Sequence, residues 1–113
     1  MKPDLCECSK FALSVSDALD ALHGRWKLQI LISLRLGNKR FHEFSKEIEG
    51  ITDKMLSKEL KELEVNQLIT RTVYDAFPPK VEYAITQHGM SLEVVLLSLR
   101  DWGIAHRKQI MGR

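Results

Sequence analysis

The sequence predicts a mainly α fold carrying one small β-hairpin, and three observations lead to it. Apolar residues recur at helical spacing through the first 65 positions. Two short runs rich in β-branched and aromatic residues follow, parted by Pro78-Pro79. A long apolar helical pattern then closes the chain. With 113 residues there is room for one domain, whose fold buries roughly two thirds of its unfolded surface. Hydrophobic residues at 44% and charged residues at 28% are ordinary globular values, so disorder is not expected.

Each element has its own signal. Residues 1–10 read as a flexible N-terminal arm. Phe11, Val15, Ala18 and Leu22 fall at helical spacing, with Ser14 and Asp17 as a start signal. His23-Gly24 interrupts. Trp26, Ile30, Leu31 and Leu34 mark a second helix from Trp26 to Leu36, and Gly37 sits where a left-handed cap would end it. Phe41, Phe44 and Ile48 suggest a short third helix. Gly50-Ile51 makes the turn, and Thr52 caps a fourth helix reaching about Val65. Ile69–Tyr74 and Val81–Ile85 then read as strands, the second with Val81, Tyr83 and Ile85 alternating against Glu82 and Ala84. Two adjacent prolines lack ladder donors, so Asp75–Lys80 is an exposed connection. Thr86 caps a last long helix reaching at least Trp102.

Charge is unevenly spread. The net charge of +2 is small, yet residues 1–22 are acidic, whereas residues 23–46 hold Arg25, Lys27, Arg35, Lys39, Arg40 and Lys46 against Glu43 alone. Arg100 to Arg113 is basic as well. Such asymmetry speaks to partners rather than to fold.

Helix, sharp turn, helix and hairpin in succession is the sequence form of a winged helix-turn-helix, in which the second helix lies in the DNA major groove. On the helix from Thr52, Leu56, Leu60 and Leu63 fall within about 60° and define a buried stripe. Lys54, Lys58 and Lys61 also fall within about 60°, centred roughly 160° away. Asp53, Glu59 and Glu62 match these lysines in number, which favours a merely solvated face. Against that, Lys54 and Lys58 are four apart, where like charges cost a few tenths of a kcal/mol. A polyanion opposite would remove that cost. The candidate reading residues are Thr52, Asp53, Lys54, Met55, Ser57, Lys58 and Lys61. Arg71, Pro78, Pro79 and Lys80 form a wing suited to phosphates or a minor groove. Lys39 and Arg40 open the third helix, where backbone amides could hold a phosphate.

The last helix is apolar on two sides. Leu92, Val95, Leu96, Leu99 and Trp102 form one stripe, and Val94, Leu97 and Ile104 another. Two apolar sides need two covers, and a partner subunit is the natural second one. A homodimer through helices at about 11–22 and 87–106 is expected, using Phe11, Val15 and Leu22 as well. The alternative is that the first helix folds back over the last.

Catalytic signals are absent from the pattern: no Gly-rich phosphate loop, no two-His helical motif, no Ser or Cys beside a His base. His23, His42, His88 and His106 are scattered. No enzyme activity, cofactor or metal is expected. No apolar run approaches the roughly 20 residues that cross a bilayer, and Met1–Cys6 carries no signal-peptide core. A cytoplasmic protein without membrane contact is expected. Cys6-Glu7-Cys8 could bind a thiophilic metal or respond to oxidants, but no further ligand clusters nearby.

These residues resemble the HxlR-type winged helix-turn-helix transcriptional regulators, over about Ala18 to Trp102. The motifs are Gly24-Arg25-Trp26, Arg40-Phe41-His42-Glu43-Phe44, and Gly50-Ile51-Thr52 with Met55-Leu56-Ser57 and Leu60-Lys61-Glu62-Leu63. Leu68-Ile69-Thr70-Arg71, Pro78-Pro79-Lys80-Val81-Glu82-Tyr83 and Asp101-Trp102-Gly103 complete them. The resemblance implies DNA-binding homodimers, repressors or activators, joined through the first and last helices. It implies that the Thr52–Lys61 face reads a pseudo-palindromic operator and that the Asp75–Lys80 tip is the wing. Many members carry a Cys-Pro pair before the first helix, and that cysteine serves some as an oxidant sensor. This chain has Leu13-Ser14 there, so thiol sensing does not carry over. A small-molecule effector is left open. The rival readings are a redox or metal sensor gated by Cys6 and Cys8, and a winged helix that serves only as a protein-interaction module.

Overall fold

The computed structural model describes residues 5–112. In chain order it comprises α1 (Leu5–Leu22), α2 (Lys27–Leu34), α3 (Phe41–Glu47), α4 (Asp53–Val65), β1 (Ile69–Tyr74), β2 (Lys80–Ile85), α5 (Gln87–Met90) and α6 (Glu93–Met111). The predicted class, helices with one antiparallel hairpin, is the observed one. Ile69 pairs with Ile85 and Tyr74 with Lys80. Lys39 adds an isolated bridge to β2, exchanging backbone hydrogen bonds of 2.9 and 2.7 Å with Tyr83.

The core lies between α2, α3, α4 and the hairpin. Ile30, Leu31 and Leu34 of α2 meet Phe44 of α3, Leu56, Leu60 and Leu63 of α4, and Ile69 and Tyr83 of the strands. The Tyr83 ring meets Phe44 edge-on at 6.0 Å between centroids. Gly50 joins α3 to α4 at φ +87°, a left-handed conformation that glycine adopts without strain.

Three features differ from expectation. α1 starts at Leu5, so residues 5–10 of the expected arm are helical; residues 1–4 lie outside the described residues. Nothing in that stretch breaks a helix, and Glu7 in the first turn complements the helix dipole. Ser14 and Asp17 therefore sit inside α1 rather than at its start, and Ser14 Oγ donates to the Lys10 carbonyl at 3.0 Å. α2 ends at Leu34, two residues early, because Arg35, Leu36 and Gly37 tighten into hydrogen bonds reaching back three residues. The last helix is broken in two at Ser91–Leu92. Thr86 caps only α5, its Oγ1 accepting from the Gly89 amide at 2.9 Å. Leu92 and Ser91 then bond back three residues, to Gly89 and His88. The break lets α5 press on the end of the α4–β1 connection. A Cβ on Gly89 would stand 2.3 Å from the Leu68 carbonyl oxygen.

α1 and α6 project from this core instead of folding over one another, and the molecule measures 63 × 38 × 23 Å. The fold-back alternative is not what the chain does. Phe11, Val15, Val95, Leu99 and Trp102 are exposed. Leu22, Leu92 and Leu96 are not. Leu22 and Leu92 pack against the core, and Leu96 is buried. These three of the expected partner-facing residues sit where α1 and α6 join the core, so the chain itself already covers them. Among the described residues, no helix is long and apolar enough to cross a membrane.

Candidate nucleic-acid interface

α4 begins where Thr52 leaves the helix: its φ and ψ are −86° and 158°, and its Oγ1 accepts from the Met55 amide at 3.2 Å. This N-cap fixes the helix start and hence which residues meet an opposing surface. Ser45 Oγ donates to Asp53 Oδ1 at 3.3 Å and ties α3 to that first turn. The leucine stripe is fully buried, with Leu56 at 0%, Leu60 at 2% and Leu63 at 0% exposure. On the opposite side Lys54, Lys58 and Lys61 are exposed, as is Met55, while Ser57 is half-buried. None of the three lysines forms an ion pair among the described residues.

The acids that match them in number have partners of their own: Asp53 accepts from Ser45, and Glu59 and Glu62, the latter at the edge of the lysine surface, reach Lys27. Lys27, at 1% exposure, extends its ammonium to Glu59 Oε2 at 2.7 Å and to Glu62 Oε2 in a shorter contact. Burial works against the Lys27 ammonium, but the two carboxylates outweigh it and raise its pKa above the usual value. The Lys27 hydrogen bond in turn lowers the Glu62 carboxyl below the ordinary range, with smaller help from Lys58 and His23. Lys27 therefore leaves the basic surface block to which its sequence position assigned it. A buried cation engages two acids of α4, and the outer lysines stay without an ion pair among the described residues.

The remaining predicted cations divide. Arg71, exposed on β1, lines a cleft with Lys61, Ser57 and Phe41 of about 310 Å³. The cleft joins α4 to the hairpin in one concave surface. Lys39 does not face outward: its Nζ pairs with Glu47 at 2.9 Å, and its side chain is 11% exposed. Glu47 also accepts from Ser33 Oγ. The Lys39 hydrogen bond, then that of Ser33, holds the Glu47 carboxyl below its usual range. Arg40 is exposed at the N-cap of α3, but Glu43 Oε1 already accepts from its amide at 2.9 Å. One amide proposed for a phosphate is thus occupied by a carboxylate of the chain itself.

Lys80 starts β2 rather than standing at the tip. Its Nζ lies 3.7 Å from Glu82 and 5.7 Å from the Tyr74 ring centroid. Glu82 accepts from Asn38 Nδ2 at 3.0 Å and from the Tyr74 hydroxyl at 3.3 Å. The Asn38 hydrogen bond leads the contacts that lower its pKa. Pro78 and Pro79 are exposed at the tip beside Phe77, which is wholly exposed. Phe77 lies within the expected Asp75–Lys80 tip but outside the named wing contacts, although an aromatic residue abutting a double proline is a local signal for an exposed contact.

Among the described residues no group of three or more His, Cys, Asp or Glu side chains could hold a metal ion. Cys8 is exposed on α1, and the Cys6 side chain lies outside what is described.

Comparison with known proteins agrees with this geometry. Residues 21–111 match the HxlR-like helix-turn-helix family. The HTH-type transcriptional regulator YtcD of Bacillus subtilis (strain 168) is 42% identical over 94% of this chain and 84% of its own length. YdeP of the same organism is 45% identical over 85% of this chain and 75% of its own length. The solved structure of the redox regulator HypR in its reduced form superposes with a TM-score of 0.82 at 37% identity, covering 88% of this chain and 99% of that one. With a buried leucine stripe, a hairpin wing and a family match over most of its length, the chain belongs to the HxlR-like helix-turn-helix family of transcriptional regulators.

Proposed function

We propose that this regulator binds double-stranded DNA as a symmetric homodimer on a pseudo-palindromic operator. α4 enters the major groove, and the hairpin tip lies on the flanking backbone or minor groove. The observation that carries the reading is the segregation of charge on α4: three exposed, unpaired lysines lie opposite a buried leucine stripe, while Glu59 and Glu62 are drawn inward by Lys27. Lys54, Met55 and Ser57, near the helix start, face base edges. Lys61 and Arg71 face phosphates from the shared cleft. The cytoplasm, where DNA is met, is the compartment this reading requires.

The dimer has a separate support. The chain exposes 8829 Å², against about 6,300 Å² for a compact monomer of its mass. The excess is larger than the roughly 800 Å² that a standard interface hides on each partner and matches the upper range of obligate homodimers. α1 and α6 contribute to it through Phe11, Val15, Val95, Leu99 and Trp102, which stand exposed. Thiol sensing is not part of this reading, because the resemblance sets Leu13 where many members carry their cysteine.

The test is selection of bound fragments from a random duplex library. Enriched sequences should share an inverted repeat whose half-sites are spaced by whole helical turns, roughly 34–36 Å apart. Recovery without enrichment at any sequence would refute operator reading, and no recovery at low salt would refute DNA binding.

A further inference from the structure

We infer that Lys27, although buried and unable to reach DNA, sets how many lysines of α4 are free for phosphates. The inference rests on the DNA-binding reading above. On α4, Lys58 and Glu62 are four residues apart, the spacing at which opposite charges on a helix pair. They border the same shallow surface with Lys54, Ser57 and Lys61, and Lys58 already contributes to lowering the Glu62 pKa. Yet Glu62 does not ion-pair with Lys58. Its Oε2 is turned inward to the ammonium of Lys27, which Glu59 holds from the next turn at 2.7 Å.

Lys27 thus competes with Lys58 for one carboxylate. Its side chain is 1% exposed, so losing a carboxylate there costs more than losing one at the surface. Lys58 is left for the polyanion. Remove Lys27, and Glu62 is expected to swing four residues along the helix and quench Lys58. DNA binding would then lose one cation without any change to a DNA-facing residue. Lys27 acts here as a positioning residue.

The test reads the salt dependence of binding to a 20-base-pair duplex by fluorescence anisotropy, because each phosphate contact adds about 0.9 to the slope of log K against log salt. The parent is compared with Lys27→Met/Glu59→Gln, which removes the buried cation and leaves no buried charge behind, and with Lys27→Met/Glu59→Gln/Glu62→Gln. The double variant should lose about one unit of slope, and the triple variant should recover it. From 50 to 200 mM salt, the parent should weaken about 3.5-fold more than the double variant. Glu62→Gln alone should leave the slope unchanged, since Lys58 is already free; this variant keeps the test decisive even if the multiple variants fold poorly.

An unchanged slope in a folded double variant, or a rise of about one unit in Glu62→Gln, would overturn the role of Lys27. If the parent itself shows no salt-dependent DNA binding, it is the DNA reading that fails.

Discussion

Placing an aspartate at Leu99 attacks the proposed dimer at a site the isolated chain does not need. Leu99 is 50% exposed on α6, so half of its side chain remains for a partner to cover. Full burial of a leucine is worth about 1.5–3 kcal/mol, and half of that, counted twice across a twofold axis, is about 1.5–3 kcal/mol. The substitution also drives two carboxylates into an apolar contact with no cation opposite, which adds desolvation to the lost burial. Together they should weaken the dimer at least 100-fold, the equivalent of about 2.7 kcal/mol. Light scattering across a concentration series should give the parent twice the 13.0 kDa chain mass at micromolar concentration, and the variant a single chain mass. The variant should keep its helical circular dichroism, because Leu99 lies outside the core cluster. A parent that runs as a monomer, or a Leu99→Asp protein that still dimerises with parental affinity, would refute the reasoning.

Other outcomes follow from the interior. Gly89→Ala should destabilise by about 1–3 kcal/mol in a thermal melt, although alanine is the better helix former, because its Cβ would meet the Leu68 carbonyl oxygen at 2.3 Å and Ile85 Cγ1 at 2.7 Å. Parental stability would mean that α5 does not press on that backbone. Thr52→Ala should cost about 1 kcal/mol by removing the cap on the Met55 amide, and an unchanged melt would place the start of α4 elsewhere. Glu47, Glu62 and Glu82 all have lowered carboxyl pKa values. A lowered folded-state pKa gives stability that is present above the ordinary value and lost as pH falls through the folded one. Denaturant midpoints should therefore hold level near neutrality and decline below about pH 4.5. The raised pKa of Lys27 works the other way, giving stability that is lost only in strong alkali, above its ordinary 10.5. A fall beginning near pH 6.5 would point to histidines instead.

The hairpin and α4 were legible because their signals are local. β-branched runs flank a double proline, and Thr52 precedes a leucine stripe. The Lys27 cluster was legible in part. Lys27 precedes Ile30, Leu31 and Leu34 by three, four and seven residues, and Glu59 lies on the stripe of Leu56, Leu60 and Leu63. A cation and an anion, each on the apolar stripe of its own helix, signal an ion pair between the helices. That the two stripes face one another is a tertiary fact, set by partners 32 and 35 residues apart. The inward turn of Lys39 toward Glu47 likewise depends on the Lys39–Tyr83 bridge, which no local pattern announces. The break at Ser91–Leu92 had a faint mark in Gly89, a poor helix former within the pattern. Its reason, close approach to Leu68, needed the fold.

Competition titration of lysine variants at two salt concentrations tests most directly whether the exposed lysine face of α4 reads DNA. Lys61→Ala should weaken operator and random duplex alike and flatten the salt slope by about one unit. Lys54→Ala should cost about 1–3 kcal/mol on the selected operator and much less on random DNA. Both should melt like the parent, since neither side chain belongs to the core. Equal and small losses on both duplexes for Lys54, Lys58 and Lys61 would rule out DNA reading by α4 and leave this face a solvated surface.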